Sequence, residues 1–383
     1  MATSSRSPGR SLRCPEGYVA FVPDPLPPKL KWSDQLVRAL SDADRLIGRL
    51  AGEGGRLPNP HLLMRPFLAR EAVLSSRIEG TQATLGELLA AQAGAAVERR
   101  PEDLREVGNY VAALEYGLGR LKTLPLSLQL VRELHARLLK GVRGDHATPG
   151  EFRRSQNWVG PPGGTLAGAT YVPPPPSGLM ACLSEWEEFL HGRALPPLVQ
   201  IALAHYQFEA IHPFLDGNGR VGRLLVTLFL VERKVLPTPL LYLSAFFEAT
   251  HNDYYTRLRR VTERGEWHEW LEYFLNGVAR QSEDAVSRAE RINSRLAEWR
   301  EQLAGTASKV PGMLLDRIAA NPFITVKKAA GDLGVAFTSA QRGIRKMESL
   351  SILSQVGDAK RGRVFCAKAL LEILEEPPRL TPA

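Results

Sequence analysis

The step His212-Pro213 constrains this chain more than any other feature, because proline disfavours the right-handed helical region at the residue before it. Ile201, Ala204, Phe208 and Ile211 recur at helical spacing upstream, so the helix they define must end at the histidine. Downstream, Val221, Leu224, Leu225, Leu228 and Val231 mark a second helix whose first turn follows Gly217-Asn218-Gly219. The fold therefore contains a corner with a histidine presented at one helix end and a glycine loop feeding the start of the next. Such a loop aims backbone N–H groups and the positive end of the helix dipole at one spot, which makes it an anion site.

The side chains around that corner specify the anion. Arg220 and Arg223 are three residues apart and share a helical face, where two guanidinium forks can bracket consecutive phosphates, so a triphosphate is the natural ligand. Asp216 precedes the loop as a hard oxygen donor placed for Mg2+ already held by phosphate. His212 is a candidate general base. Gly217-x-Gly219-x-x-Gly222 also satisfies the dinucleotide fingerprint, but that motif must follow a strand and here follows a helix, so a Rossmann unit is excluded. Other chemistries leave no trace. There is no G-x-S-x-G or H-E-x-x-H motif, and His61, His135, His146, His191, His205, His251 and His268 lack ligand spacing. Only His205 shares the face of His212, and it reads as a core or rim residue.

Helical periodicity dominates the rest of the chain, which reads as mainly α. Helices are expected over 33–50, 59–79, 102–120, 127–139, 178–189, 199–212, 220–234, 251–264 and 267–279, with a long one from 281 to about 304. The segment 152–172 breaks the rhythm. Its short extended arms flank a Gly-rich tip and read either as a β-hairpin or as a plain surface loop. Residues 1–19 carry arginines among serines without an apolar core, which excludes a secretory signal and favours a disordered tail. From 309 to 376, helix, helix, Gly334-Val335 turn, helix and a Gly357/Gly362 wing follow the order of a winged helix-turn-helix. Three scattered cysteines, Cys14, Cys182 and Cys366, argue against a disulfide framework and fit a reducing, cytoplasmic compartment. The apolar stretch 224–231, interrupted by Thr227, is far too short to cross a membrane.

His212 through Arg223 resembles the signature of the Fic family, H-P-F-x-D-G-N-G-R-x-x-R, at every defined position. The resemblance extends from about Phe21 to Ala279 and implies an α-helical Fic core, placed at 111–280, behind an N-terminal helical region at 20–110, with 281–308 as a linker helix. It further implies transfer of AMP from ATP, with Mg2+, to a Ser, Thr or Tyr hydroxyl of a target protein. On this reading His212 takes the hydroxyl proton and Asp216 holds the metal. The Gly217, Asn218 and Gly219 region forms the anion hole, continued through Val221 and Gly222, while Arg220 and Arg223 bind the β- and γ-phosphates. The 152–172 segment then becomes a target-docking flap, with Thr165, Leu166, Thr170, Tyr171 and Val172 pairing by main chain. Tyr254 lies where an aromatic could stack on adenine or pack in the core.

Ser75, Glu79 and Gly80 resemble the family's inhibitory motif, [ST]-x-x-x-E-[GN], at the end of a helix preceding the core. Gly80 stops that helix, so Glu79 sits in a terminal turn where its charge opposes the dipole and needs a cation. Pairing with Arg223 would keep that arginine from the γ-phosphate. In related proteins the same glutamate orients a water that removes AMP, so deAMPylation is an alternative direction. The C-terminal unit carries eleven basic against seven acidic residues. Gln341, Arg342 and Arg345 could face a DNA groove and Lys360 and Arg361 its phosphates, which supports a DNA-binding regulator as a rival function. Gly343 weakens that helix, and docking or dimerisation is the other use of such a unit. A homodimer, with ATP and target proteins as partners and no membrane, completes the expectation.

Overall fold

The computed structural model of the chain describes residues 8–56, 60–142, 147–161 and 163–380. His146 and the first seven residues of the expected tail lie outside the described residues. The remainder of that tail is not disordered. Strand β1 (Gly9–Arg13) pairs antiparallel with β2 (Val19–Pro23), Gly9 opposite Pro23 and Arg13 opposite Val19. An isolated two-stranded ribbon is marginal in water. This one gains outside partners: Phe21 N–H donates to the Val172 carbonyl at 2.8 Å, Tyr18 Oη donates to Gln156 Oε1 at 3.1 Å, and Ala20 is buried.

Eleven helices follow among the described residues: α1 (Asp34–Arg56), α2 (Pro60–Ile78), α3 (Leu85–Gln92), α4 (Pro101–Arg120), α5 (Leu128–Leu138), α6 (Pro176–His191), α7 (Pro197–Ile211), α8 (Asn218–Glu232), α9 (Ser244–Ala249), α10 (His251–Arg264) and α11 (Trp267–Leu303). The chain is mainly α, as expected. The two helices that flank the His212 corner form its centre. Along α7 almost every side chain is buried, polar Gln200, His205 and Gln207 included, and a helix without a polar face belongs in a core. Trp186 of α6 and Trp270 of α11 clamp it by donating to the Ala204 and Ala202 carbonyls at 2.9 Å each. Gly222 allows α8 to lie close against α7, since a Cβ there would meet Glu209, Phe208 and His205.

The expected break near residue 280 does not occur. Arg280 is a good helix former, and buried Ala285, Val286, Ala289, Ile292 and Leu296 continue the stripe, so α11 runs 37 residues and is a core helix rather than a linker. Helix α1 packs along it. The C-terminal unit then comprises α12 (Val310–Ala320), β3 (Phe323–Thr325), α13 (Val326–Leu333), α14 (Phe337–Ser349), β4 (Ser354–Val356), β5 (Val364–Cys366) and α15 (Lys368–Glu375). Its three strands form an antiparallel sheet in the order β3-β5-β4, with Gly357 and Gly362 at positive φ in the β4–β5 connection. Gly343 has a packing reason: a Cβ there would run into Val310 and Leu314 of α12. No helix among the described residues is long and apolar enough to cross a membrane, and the three cysteines are buried free thiols.

The C-terminal unit and the N-terminal helices share one hydrophobic core, joined by buried charge. Arg288 of α11 pairs with Asp284 at 2.7 Å and donates to the carbonyls of Ile373, Glu376 (2.8 Å) and Pro377 (3.2 Å). Arg70 of α2 lies 3.9 Å from the same Asp284 and donates to the Glu376 carbonyl at 3.3 Å. Arg288→Met should lower stability by about 3 kcal/mol, because Asp284 and three carbonyls lose a buried donor. Urea denaturation of the full chain measures it.

Candidate active site

His212 caps α7 in the left-handed region, with φ 50° and ψ 61°, a conformation costing a non-glycine residue on the order of 1 kcal/mol. Arg153 holds it there. Its Nε donates to the His212 carbonyl at 2.9 Å and its Nη2 to the Pro174 carbonyl at 2.5 Å, while its backbone N–H reaches the Pro213 carbonyl at 2.9 Å. Asn157 adds bonds from Nδ2 to the carbonyls of His212 (3.3 Å) and Phe214 (2.7 Å). The imidazole Nδ1 lies 3.2 Å from the Glu209 carbonyl, which can only accept. Nδ1 therefore carries the proton, and Nε2 is left with a lone pair. Burial pulls the imidazole down to about 4, against the smaller upward pull of that hydrogen bond, so the ring is neutral near pH 7 and able to act as a base.

The glycine loop is braced from within. Asn218 Oδ1 accepts from Phe214 N–H at 2.8 Å and its Nδ2 donates to the Phe214 carbonyl at 2.9 Å, closing the loop on itself. The Asn218 side chain is thus spent on structure rather than offered to an anion. Gly217, at φ 77°, is the N-cap, so the amides of Asn218, Gly219 and Arg220 open the first turn of α8 with no intrahelical acceptor. His135 supplies an outer brace that sequence spacing did not reveal. Its Nδ1 accepts from Gly150 N–H at 2.8 Å, so Nε2 holds the proton and donates to the Asp216 carbonyl at 3.0 Å, while the ring stacks 3.7 Å from Phe214. Asp216, 45 % exposed in its side chain, accepts from Gly217 N–H at 2.6 Å and lies 3.5 Å from Arg220. Arg220 is 4 % exposed, and its buried Nε has no partner among the described residues, as expected of a group that awaits an anion. Val221 and Gly222 are packing positions, the first fully buried and the second at the α7 contact. Asn218→Ala should cost about 2 kcal/mol by orphaning the Phe214 N–H, the Phe214 carbonyl keeping its bond from Asn157, and is read as a fall in urea midpoint.

Arg223 is occupied by the end of α2. It is 3 % exposed; its Nε donates to Ser75 Oγ at 2.8 Å and its Nη2 to the Ser75 carbonyl at 3.0 Å and to Glu79 Oε1 at 2.7 Å. Helix α2 stops at Ile78 and Gly80 turns at φ 94°, which leaves Glu79 at the terminal turn. Burial works to raise the Glu79 carboxyl, but the charge and hydrogen bond of Arg223 outweigh it and hold the group below its ordinary range. The carboxylate lies over the glycine loop, where a Cβ at Gly219 would meet both Glu79 Oε1 and Arg223 Nη1. The Ser75, Glu79 and Arg223 arrangement expected from sequence is therefore formed.

The structure decides two readings that the sequence left open. Tyr254 is 1 % exposed and donates or accepts at His205 Nε2, 2.9 Å away, with its ring stacked on Phe247. It is a core residue; its exposed neighbour Tyr255 shares the electrostatic surroundings of Arg223 and Glu79. The hairpin expected over 152–172 is reduced to one antiparallel bridge between its arms, Val159 with Tyr171, with a short turn at Leu166–Gly168 at the tip. Tyr171 bonds Val159 through its backbone and the Ala210 carbonyl through its hydroxyl at 2.6 Å, and the Val172 carbonyl is taken by Phe21. Both are structural. Thr165 and Thr170 are exposed and Leu166 half-exposed at the tip.

With this geometry in place, comparison with known proteins is informative. Residues 37–119 match the N-terminal region of the Fic/DOC family and residues 125–230 match the Fic/DOC family itself. A protein adenylyltransferase Fic from Drosophila virilis is 39% identical over 115 residues, 29% of this chain and 21% of that one; its counterpart in Drosophila yakuba is 37% identical over the same length. The chain thus spans about a fifth of the length of these curated relatives. A Fic family protein from Desulfovibrio desulfuricans has the same fold over 89% of this chain and 98% of its own, with TM-score 0.60 and 20% identity. Fic-1 from C. elegans covers 67% of this chain and 74% of its own at TM-score 0.52 and 23% identity. This chain belongs to the Fic/DOC family.

Proposed function

We propose that the protein is an adenylyltransferase that moves AMP from ATP to a Ser, Thr or Tyr hydroxyl of a target protein and is held off by Glu79. The observation that carries this reading is the anion site at the start of α8, where an Arg220 Nε without a partner among the described residues, the first-turn amides and a neutral His212 converge and Arg223 is covered by a carboxylate. His212 Nε2 accepts the proton of the attacking hydroxyl, and its Nδ1 bond to Glu209 fixes the ring for that transfer. The amides and Arg220 neutralise charge on the phosphates, which is most of what such a reaction requires. The half-exposed carboxylate of Asp216 fits a hard divalent cation such as Mg2+, which when bound supplies further charge neutralisation at the phosphate oxygens.

Label transfer from α-labelled ATP separates the parts. Glu79→Gly should raise self-labelling and labelling of added protein at least about tenfold, the scale of one lost charge-assisted contact. Glu79→Gly/His212→Ala should return it to background. If ATP binds to all forms and none transfers label, removal of AMP or a non-catalytic role takes precedence. Because the neutral imidazole is the active form and its value is depressed to about 4, the acid limb of kcat/KM in Glu79→Gly should lie well below the ordinary value of about 6.5.

The C-terminal unit supports a second role. We infer a winged helix whose basic face, with Arg342 and Arg345 exposed on α14 and Lys360 and Arg361 exposed in the β4–β5 connection, meets duplex DNA, with Gln341 half-buried beside them. Arg342→Ala/Arg345→Ala in the full chain should weaken duplex binding about tenfold and flatten its salt dependence. Equal binding by both forms would remove these residues from the surface.

A further inference from the structure

Arg223 has a difficulty once the brake opens. All three of its hydrogen bonds run to Ser75 and Glu79, and a guanidinium 3 % exposed cannot be left without an anion at small cost. Three carboxylates lie in its field: Glu79, Glu71 and Glu209. Glu71 is already satisfied. Its Oε1 accepts from Tyr110 Oη at 2.9 Å and from Ser244 Oγ at 2.5 Å, and its Oε2 accepts from Ser244 N–H at 3.2 Å. Glu209, one turn before His212 on α7, differs. Its Oε1 is sealed from solvent with no hydrogen-bond partner among the described residues, and it packs against Gly222, the residue preceding Arg223. A buried carboxylate oxygen without a donor is as unfavourable as a buried arginine without an acceptor.

We propose that Glu209 is a positioning residue for Arg223: when Glu79 withdraws, the Glu209 carboxylate becomes the arginine's protein partner and keeps the guanidinium aimed at the anion site where the γ-phosphate arrives. The inference rests on the adenylyltransferase reading only in naming that phosphate. The two carboxylates then act in turn on one cation, Glu79 drawing it toward α2 and Glu209 keeping it on the α7 side. Burial lifts the Glu209 carboxyl to about 7, with Arg223 pulling it down and Glu79 pushing it up. The other groups sharing its surroundings are Tyr254 and Tyr255 of α10, both themselves raised by burial, and His212 and His205 on its own helix, both depressed. Withdrawal of Glu79 removes the smaller upward push and so favours the ionised form of Glu209. The ionised form does the pairing, so the contribution is present at alkaline pH and lost as pH falls through the carboxyl's value.

Equilibrium binding of ATP with Mg2+ to the full chain tests this without relying on turnover. In the Glu79→Gly background, Glu209→Gln should weaken ATP binding about tenfold at pH 8, the scale of one charge-assisted contact, and the difference should be smaller at about pH 5.5. In transfer assays the loss should fall on KM, with kcat changed less than about twofold. Glu209→Met, of similar length and uncharged, carries the same expectation should the glutamine protein fail to fold. Equal affinities for Glu79→Gly and Glu79→Gly/Glu209→Gln at both pH values would overturn the proposal, and so would a loss of affinity independent of pH. Absence of label transfer by Glu79→Gly with its ATP affinity intact would instead count against the adenylyltransferase reading, and the binding comparison would still decide the role of Glu209.

Discussion

A buried guanidinium must have an acceptor, and in this protein the acceptor chosen by Arg223 decides the state of the site. The arginine sits on α8, deep in the core, where its alkyl stem packs and its head cannot reach water. Every described hydrogen bond it makes runs to Ser75 of α2 or to Glu79 just beyond that helix. The contact is favourable for both partners, because Glu79 would otherwise oppose the dipole at its own helix end and Arg223 would otherwise be an unpaired buried charge. In the proposed reading a γ-phosphate competes with that pair, and its advantage is the open amides and the Arg220 Nε donor, with which Glu79 makes no described hydrogen bond although the charge of Arg220 favours its carboxylate too.

The rest of the corner is built so that this competition happens in a fixed frame. The left-handed His212 is over-determined by Arg153 and Asn157, and the Asp216 carbonyl is pinned by His135. Asn218 closes the loop on Phe214. None of these side chains needs to move when an anion enters, so the ordering entropy is spent in folding rather than in binding. The same frame sets the chemistry, since a histidine whose Nδ1 is fixed on a carbonyl presents the opposite nitrogen as its basic one.

The corner and the helix end that carries Glu79 were legible because each depends on local rules. Pro213 ended a helix, Gly217-Asn218-Gly219 opened another, and Gly80 stopped a third, all as those residues dictate. What escaped the sequence depends on partners far along the chain. Arg153 and His135 act through carbonyls of residues 59 and 81 positions away, which no spacing rule can find. The β1–β2 ribbon is too short to stand alone and exists because Val172 and Gln156 meet it. Tyr254 and Tyr255 are adjacent on one helix, so only the packing of α10 determines which faces the core. Helix α3 is a different case. Thr84-x-x-Glu87 is a capping box that forms as written, Glu87 N–H to Thr84 Oγ1 at 3.2 Å and Thr84 N–H to Glu87 Oε2 at 2.8 Å, and it was readable from sequence although unread.

In the proposed reading the end of α2 carries a brake, and where that helix can move determines how such a brake opens. Along its length the helix is locked: Arg70 is tied to Asp284 and to the Glu376 carbonyl, Glu71 to Tyr110 and Ser244, and Ser75 to Arg223. The C-terminal unit packs on α2 through α12 and α15 and holds the next helix, α3, with Asn321 donating to the Leu89 carbonyl at 2.9 Å and Glu375 accepting from Gly86 N–H at 3.0 Å. Shifting α2 as a body would break several buried charged contacts together, each costing on the order of 2 kcal/mol. Glu79 is the exception. Its side chain is 31 % exposed and it lies beyond the last helical residue, before a glycine turn. A change of rotamer at that one residue breaks a single described bond, so the opening of lowest cost leaves Ser75 on Arg223 and moves only the carboxylate. The site is therefore poised by a side chain at a helix end rather than by a mobile domain.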